Sequence, residues 1–316
     1  MLKPWVIDGH CDSIGDYIRG KRTLRLGNEG GHWDLERAKA GGMILQIMAC
    51  FIESEFKPGL ASRRGLELIH SAQRFINENQ DGVFLIRCQQ DLNQLPSPDK
   101  LGILLCVEGG EVLGESLFML DIIYELGVRA LGLTWNQRNA LADGVGEQTN
   151  SRLTRLGQSV IRRMNELGML IDVSHLNEAG FWNVLELSTA PIVASHSCAY
   201  AVCEHPRNLT DEQLKALARN HGLVGVNFYA RFLTEKGEAT LDHVVQHIAH
   251  IAEVAGVETI GLGSDFDGID QAPRGLEDAT KYPNLAEALR KAGFCEEEIT
   301  QIFFKNFRRL LLNVIK

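Results

Sequence analysis

Short apolar runs alternate along the chain with longer segments in which apolar residues recur at helical spacing. Such runs, bounded by polar residues, are typical of parallel strands that are covered on both faces. The amphipathic segments between them predict helices with one face on the sheet. Eight strands are predicted, over residues 6–12, 43–51, 103–108, 130–136, 170–175, 191–196, 223–229 and 259–265. Helices are predicted over residues 62–77, 117–126, 152–167, 177–187, 211–220 and 241–255.

This alternation predicts an α/β fold in which a parallel sheet is surrounded by helices. Eight units within 316 residues favour a closed (β/α)₈ barrel of the TIM type over an open sheet. The apolar run 83–88 predicts a short extra strand, and the stretch from residue 284 to the C-terminus predicts closing helices. Because no repeat or Pro/Ser-rich linker interrupts the chain, residues 1–316 are predicted to form one domain.

Composition narrows the class of partner. With 41 acidic and 32 basic residues the net charge is −9, which disfavours broad contacts with nucleic acid or an anionic membrane, so we expect a small-molecule partner. Seven scattered cysteines without a CxxC pair favour neither a disulfide framework nor a zinc ribbon; most are expected to be buried apolar residues. The N-terminus resembles no export signal and no apolar run is long enough to cross a membrane, so a cytoplasmic location is expected.

Nearly every predicted strand ends in a polar or ionisable side chain. The C-terminal ends of barrel strands converge on one mouth, where active sites of this architecture lie. A single polar strand end can simply mark the following turn, but three histidines and three carboxylates together indicate a functional site. The residues concerned are His10, Asp12, Glu108, Asn136, His175, His196, Tyr229 and Asp265.

Five of these side chains predict a metal centre. His10 and Asp12 lie on the same face of the first strand, because side chains alternate along a strand. Glu108 ends an apolar strand, where a lone carboxylate is costly unless it is paired or bound to a metal. His175 and His196 end consecutive strands and are therefore expected to be neighbours.

The number of donors favours two ions, since a tetrahedral catalytic site usually takes three protein ligands and one water. We expect one ion on His10, Asp12 and Glu108 and a second on Glu108, His175 and His196. A water or hydroxide is expected between ions about 3.5–4 Å apart. Nitrogen and oxygen donors without thiolate favour Zn²⁺, with Mn²⁺ or Co²⁺ as possible substitutes. Such a pair suits hydrolysis of an amide.

Asp265, in the sequence GSDFDG, is expected to face the attacking water. A carboxylate at this place can take a proton from the water and return it to the departing amine, so Asp265 is predicted to be the general base and then the general acid. Asp267 has the same parity and is the alternative. Asp265 is preferred because it lies nearer to the strand.

Six segments together resemble the renal, or membrane, dipeptidase family of the amidohydrolase superfamily. They are DGHCD at 8–12, VEGG at 107–110, DVSH at 172–175, ASHSCAY at 194–200, HPRN at 205–208 and GSDFDG at 263–268. The resemblance spans nearly the whole chain and implies a dinuclear zinc dipeptidase with metal ligands at the five positions above. It also implies a catalytic acid at Asp265, a substrate-binding arginine at Arg207, tolerance of D-residues at the C-terminal position of the dipeptide, and a homodimer.

One departure concerns the loop after the fourth strand. Animal members of the family carry a histidine there that contacts the substrate, whereas this chain has Trp135, whose indole can neither accept a hydrogen bond nor carry a charge. Asn136 and Arg138 are alternative sources of a compensating donor, and Tyr229 is expected to line the same pocket. The lipid anchor and disulfide link of animal members are not supported by this sequence.

Several alternatives accompany this interpretation. Hydrolysis of N-acyl amino acids, β-lactams or lactones would use the same chemistry, and a catalytically silent metal-binding barrel is disfavoured by Asp265. Residues 265–270 lack the spacing of a calcium loop. Asp8 and Asp172 lie inside strands, where they either form buried pairs or support a ligand histidine. Three histidines at helical spacing are interpreted as an exposed helix face, not as ligands: His243, His247 and His250.

Overall fold

A computed structural model describes residues 4–27, 30–97 and 99–316. Within these residues the chain forms nine strands, all paired in parallel. The strands are β1 (Val6–Cys11), β2 (Met43–Phe51), β3 (Val83–Leu85), β4 (Leu101–Glu108), β5 (Val128–Gly132), β6 (Leu170–Asp172), β7 (Val193–Ser197), β8 (Leu223–Val226) and β9 (Ile260–Leu262).

Eight of these strands close into a barrel, which confirms the predicted fold class. Starting from β1, the ring runs through β2, β4, β5, β6, β7, β8 and β9, and the pairing of Asp8 in β1 with Leu262 in β9 closes it. Strand β3 lies outside the ring and pairs with Leu101–Ile103 at the start of β4. The predicted extra strand is therefore present, although it is shorter than the expected run 83–88.

The described residues also form thirteen α-helices. Several begin at a side chain that accepts a backbone hydrogen bond: Thr154 accepts from Gly157, Asn177 from Gly180 and Thr210 from Gln213. The helices are α1 (Ile14–Ile18), α2 (Leu35–Gly41), α3 (Ala61–Glu78), α4 (Gln89–Leu92), α5 (Phe118–Glu125), α6 (Arg155–Leu167), α7 (Glu178–Leu187), α8 (Asp211–Arg219), α9 (Ala230–Leu233), α10 (Leu241–Ala255), α11 (Tyr282–Lys291), α12 (Glu296–Thr300) and α13 (Asn306–Val314).

The C-terminal helix α13 packs against the N-terminal part of the barrel strands. Its residues Phe307 and Leu310 are fully buried in an apolar cluster with strand residues that include Ile7. The Phe307 ring lies so close to Gly9 and Gly261 that a Cβ atom at either glycine would meet it at 2.4 and 2.5 Å. These two glycines therefore make room for the helix that covers this end of the barrel, leaving the opposite end for the site.

The predicted strand ends were wrong where polar residues follow the ladder. Residues 130–136, 170–175, 223–229 and 259–265 were expected to be strands, but β5, β6, β8 and β9 end three to four residues earlier. The reason is visible in the backbone, because His175 and Asp265 have positive φ angles of 66° and 62°. Extended backbone cannot adopt these angles, so the polar residues belong to loops at the barrel mouth.

Two further expectations concern cysteines and membranes. All seven cysteines are free thiols, and five of them are buried, as predicted: Cys11, Cys50, Cys106, Cys198 and Cys203. None of the helices formed by the described residues has both the length and the apolar character needed to span a bilayer.

Candidate metal centre

Five predicted ligands lie together at the mouth of the barrel. His10 is in β1, Glu108 is the last residue of β4 and His196 is in β7. Asp12 directly follows β1, and His175 lies three residues after the end of β6. Their donor atoms form two groups, His10 with Asp12 and Glu108, and Glu108 with His175 and His196. Within each group the donor atoms lie within 4.8 Å of one another, so each could hold one metal ion.

The Glu108 carboxylate lies between the two groups. Its Oε2 atom is 3.3 Å from Nε2 of His10, and its Oε1 atom is 2.9 Å from Nε2 of His175 and 3.7 Å from Nε2 of His196. Asp12 completes the first group, with its Oδ2 atom 3.5 Å from Nε2 of His10. The two oxygens of one carboxylate thus face different groups of ligands.

The protonation of two histidines also fits metal binding. Burial lowers the pKa of His175 to about 3 and holds the pKa of His196 well below its usual range, so both rings are neutral. Nδ1 of His175 faces Oδ1 of Asn136 at 2.7 Å, and because the amide oxygen only accepts, Nδ1 donates and Nε2 keeps its lone pair. The two Nε2 atoms of His175 and His196 are 2.9 Å apart. A cation beside both nitrogens would offset this close approach.

Two further buried atoms lack a hydrogen-bond partner: Nε2 of His10 and Oδ1 of Asp12. Burial opposes the charge on His10, but Glu108 and Asp12 outweigh it and raise the pKa of His10 well above its usual range. Burial also opposes ionisation of Glu108, yet His10 and His175 hold the pKa of its carboxyl well below the usual range. A nitrogen and an oxygen atom without hydrogen-bond partners, next to the ionised carboxylate of Glu108, are suitable ligand atoms for a divalent cation.

Asp265 faces the same centre. One of its oxygens lies with His10 and His196 in a third group whose donor atoms are within 4.8 Å of one another. Nδ2 of Asn227 donates to Oδ2 of Asp265 at 2.9 Å. Burial, followed by the neighbouring Asp12 carboxylate, raises the pKa of Asp265 to about 7. A carboxyl group with this pKa can exchange a proton near neutral pH.

The loop that carries Asp265 leaves no room for a side chain at Gly268. A Cβ atom there would lie 2.2 Å from Oδ2 of Asp12 and 2.6 Å from Oδ1 of Asp265. The glycine in the GSDFDG sequence therefore lets the two carboxylates approach each other.

Asp267, the alternative to Asp265, has a different environment. Its carboxylate accepts hydrogen bonds from Nη2 of Arg22 and from the His32 amide, both at 2.6 Å, and one from the Ser13 hydroxyl. Although burial opposes ionisation, His32 and Arg22 hold the pKa of Asp267 far below its usual range. The ionised Asp267 carboxylate therefore connects its own loop to the segments that carry Ser13, Arg22 and His32.

A cavity of about 540 Å³ opens onto this centre. The predicted substrate-binding residues all line it: Arg207, Trp135, Asn136 and Tyr229. Arg207 is buried and donates to the His196 carbonyl at 3.0 Å and to the Ser197 hydroxyl at 3.4 Å, while its Nε atom has no partner. An unpaired guanidinium nitrogen next to the cavity is suited to bind an anion.

Trp135 forms part of an aromatic wall of this cavity. Its ring centroid lies 5.4 Å from that of Phe51 and 5.9 Å from that of His175. Nζ of Lys57 lies 5.4 Å from the Trp135 ring and 3.2 Å from Oε1 of Glu111, so a buried ion pair supports the wall. The structure thus gives Trp135 an apolar surface at the place where a histidine was expected from the resemblance.

The two proposed sources of a compensating donor differ. Asn136 lines the cavity, and its amide oxygen accepts from Nδ1 of His175, so its amide nitrogen is the group left to donate. The Arg138 side chain is 56% exposed, pairs with Asp143 at 2.5 Å and does not line the cavity. Tyr229 is half-buried against Phe232, with ring centroids 5.0 Å apart.

The histidines of helix α10 were partly misinterpreted. His247 is fully buried, and both of its ring nitrogens have partners: Nδ1 accepts from the Ala199 amide at 3.1 Å, and Nε2 donates to the Leu233 carbonyl at 3.2 Å. The charged flanks of the segment suggested exposure, but α10 packs on the barrel along the face that carries His247. None of the three histidines belongs to a group of potential ligands among the described residues.

The roles of the two buried aspartates can be separated. Asp8 accepts from the amide and the hydroxyl of Ser264, at 2.8 and 2.6 Å, and from the Tyr282 hydroxyl at 2.9 Å, so it joins β1 to the loop after β9. Asp172 accepts from the hydroxyl of Ser195, which also contacts the imidazole of His196. Ser195 and Asn227 were not singled out in the sequence, although Asn227 directly follows β8; Ser195 lies inside β7.

Comparisons with known proteins agree with this geometry. The sequence profile of the family described as membrane dipeptidase (peptidase family M19) matches residues 1–315. An uncharacterized dipeptidase of Schizosaccharomyces pombe is 36% identical over 296 residues, which cover 88% of this chain and 71% of that protein.

Solved structures show the same similarity. A crystal structure of dipeptidase AC, a metallopeptidase of family M19, superimposes with a TM-score of 0.93 at 30% identity and covers 99% of both chains. A metallopeptidase from Rhodobacter sphaeroides, liganded with a phosphinate mimic of the dipeptide L-Ala-D-Ala, has a TM-score of 0.93 at 28% identity, over 99% of this chain and 100% of that chain.

Proposed function

Because the chain belongs to the membrane dipeptidase family (peptidase family M19) and is a metallodipeptidase, we propose that it hydrolyses dipeptides of the L-Xaa-L-Xaa and L-Xaa-D-Xaa types with two divalent ions. The observation that carries the proposal is the position of Glu108, whose two carboxylate oxygens face two different groups of potential metal ligands. His10, Asp12 and Glu108 would hold one ion, and Glu108, His175 and His196 the other.

The chemistry divides between the ions and the protein. When bound, divalent ions polarise the scissile carbonyl and lower the pKa of water towards neutrality. Asp265 is placed to take the proton from the attacking water and to return it to the departing amine, as general base and then general acid. Asn227 donates to Oδ2 of Asp265, and one oxygen of Asp265 lies with the donor atoms of His10 and His196.

The cavity supports recognition of a dipeptide. Arg207 has an unpaired Nε atom beside the centre, and a buried guanidinium pairs well with the free carboxylate of a dipeptide. Trp135 and Tyr229 supply aromatic surface for substrate side chains, and Asn136 orients His175. The dipeptide mimic bound by the Rhodobacter sphaeroides relative supports a substrate of this size and a D-residue at its C-terminal position.

The remaining features of the proposal are finer. We propose Zn²⁺ as the native ion because the donors are nitrogen and oxygen, with Mn²⁺ or Co²⁺ as substitutes. We also propose that residues 1–316 act as one hydrolase domain, that the protein works in the cytoplasm, and that it forms a homodimer, as the family resemblance implies.

Metal-loaded protein tests the function directly when it is incubated with L,L and L,D dipeptides, one lactone, one β-lactam and one N-acyl amino acid. Release of free amino acids from the dipeptides is expected, with loss of turnover after removal of the ions by a chelator. Turnover of the lactone, the β-lactam or the N-acyl amino acid without turnover of any dipeptide would contradict the proposal.

The bridging carboxylate has its own test. Glu108→Gln is expected to reduce the bound metal below two ions per chain, because an amide is a weaker ligand than a carboxylate and its nitrogen cannot bind a cation. Glu53→Gln is the control, since Glu53 lines the same cavity but pairs with Arg64 at 2.6 Å. Two ions bound equally well by both variants would contradict a bridge at Glu108.

A further inference from the structure

We propose that Asp172 and Ser195 form a hydrogen-bond relay that sets the tautomer of His196 and thereby makes this histidine able to bind a metal ion. The inference rests on the proposed metal centre and assigns a positioning role to two residues that do not contact substrate. It follows from the number of protons that each atom of the relay can donate.

The first part of the relay is the carboxylate of Asp172, the last residue of β6. Its Oδ1 atom accepts from the backbone amides of Ser174 and Ser195, at 2.9 and 3.0 Å. Its Oδ2 atom accepts from the Ser195 hydroxyl at 2.5 Å. All three side chains are buried, so no solvent competes for these bonds. The backbone amides therefore determine which carboxylate oxygen faces the hydroxyl.

The second part of the relay is that hydroxyl. A serine hydroxyl carries one proton and can donate only one hydrogen bond, and here the donation goes to Asp172. Oγ of Ser195 lies 2.7 Å from Nδ1 of His196, so in this contact the oxygen accepts and Nδ1 donates. The neutral imidazole then keeps its lone pair on Nε2, which is the atom that faces Glu108 and His175.

The same hydroxyl is also 3.4 Å from Nδ1 of His10. This longer contact has the same direction, because Oγ of Ser195 has a lone pair left and no proton to give. Ser195 therefore faces one histidine of each proposed metal group. The contact with His196 is shorter and carries the main effect.

An Asp172→Asn substitution reverses the relay without changing its size. The amides of Ser174 and Ser195 still require an oxygen acceptor, so the amide nitrogen of Asn must face the Ser195 hydroxyl. This nitrogen donates, which turns the hydroxyl proton towards Nδ1 of His196. The histidine then carries its proton on Nε2 and no longer offers a lone pair to an ion.

Ser174→Ala provides a matched control. Ser174 is buried in the same cluster, with its Oγ atom 3.4 Å from that of Ser195, but it accepts from the His196 backbone amide at 3.2 Å and does not contact the imidazole. Removal of the Ser174 hydroxyl changes the packing and one backbone bond while leaving the relay complete.

The experiment strips each protein of metal and then titrates Zn²⁺ against a competing chelator, with thermal unfolding to verify the fold. We expect two ions in the unaltered protein and in Ser174→Ala. Ser195→Ala, which leaves the tautomer free, should weaken one ion about 10- to 100-fold. Asp172→Asn, which enforces the wrong tautomer, should weaken the same ion at least as much.

Nitrogen NMR of the metal-free proteins reads the tautomer directly. Nδ1 of His196 should be protonated in the unaltered protein and Nε2 in Asp172→Asn, a change that a purely structural role would not produce. Two ions bound with unaltered affinity by both Asp172→Asn and Ser195→Ala would overturn the relay and leave the proposed function intact. An unaltered protein that binds no Zn²⁺ would overturn both.

Discussion

Two aspartates only two positions apart have carboxyl groups with opposite acid–base properties. Burial and the nearby Asp12 raise the pKa of Asp265 to about 7, whereas hydrogen bonds from His32 and the charge of Arg22 overcome burial and lower the pKa of Asp267. A group that exchanges its proton near neutrality can serve as base and acid, while a permanently ionised one cannot return a proton.

Asp265→Asn should therefore keep its bound metal and lose turnover by a factor of about 10²–10⁴, the usual contribution of a general base. Turnover of a dipeptide and metal content are measured on the same preparation. Asp267→Asn is the matched control, because it removes the same charge from the same loop. We expect this variant to lower the unfolding temperature and to change turnover much less than Asp265→Asn does. Loss of metal from Asp265→Asn would instead assign Asp265 to the ligands.

Trp135→His tests the aromatic wall of the cavity. The change replaces an apolar surface beside Phe51 by a polar ring, so the ratio of kcat/KM between dipeptides with large apolar and with small side chains should fall severalfold. Metal content should not change. Trp182→His on α7 is the control, since Trp182 donates to Glu178 on the surface. Identical kcat/KM values for all dipeptides would exclude Trp135 from substrate contact.

The individual residues were predictable to different degrees. The five candidate ligands could be predicted because an ionisable side chain at the end of an apolar strand is costly without a partner. Arg207 lies in the loop between β7 and α8 and was indicated by family resemblance alone. Ser195 lies inside β7 and Asn227 directly follows β8. Both side chains are neutral, so no buried charge singles them out in the sequence, and only the distances to His196 and Asp265 place them beside the site.

At the scale of elements, the strands were predicted in number and order but not in their ends. The spacing of apolar residues indicates which positions are buried. Buried positions continue beyond the last hydrogen bond between strands, because the loops at the barrel mouth are themselves covered. His175 and Asp265 are buried or partly buried although they have left the strand conformation. Short helices such as α1 and α9 are likewise absent from the prediction, since one or two turns contain too few residues to show a period.

The contact between α13 and the barrel predicts that substitutions at Gly9 in β1 and at Phe307 in α13 have coupled effects on stability. Gly9→Ala should lower stability by about 1–3 kcal/mol, because its new methyl group meets the Phe307 ring. Phe307→Leu removes part of that ring and should itself be destabilising. The double variant should nevertheless lose less free energy of unfolding than the sum of the losses in the two single variants. Thermal unfolding of the four proteins measures the coupling; strict additivity would contradict the contact.

At the scale of the whole molecule, the centre concentrates negative charge inside a protein that already carries a net charge of −9. The carboxyl groups of Asp12, Glu108 and Asp265 lie together at the centre. Of its three histidines, only His10 has a raised pKa, while the pKa values of His175 and His196 are lowered. Bound cations offset this repulsion, so metal binding and stability are linked.

Removal of the ions should consequently lower the unfolding temperature while the far-ultraviolet circular dichroism of the barrel persists. A ligand present at 100 times its Kd stabilises the folded state by about 2.7 kcal/mol, which corresponds to a shift of several degrees. Zn²⁺ added back should restore the transition, whereas Mg²⁺ at the same concentration should not. Equal unfolding temperatures with and without the ions would contradict the linkage.

The ring closes through residues from distant parts of the chain. Asp8 and Ser264 are bonded across 256 positions, and the Asp265 amide donates to the His10 carbonyl at 3.1 Å. During synthesis on the ribosome, His10 is therefore translated long before Asp265. Hydrolytic capacity should arise abruptly near the completion of synthesis, and fragments cut anywhere between these two segments should be inert unless both halves reassociate.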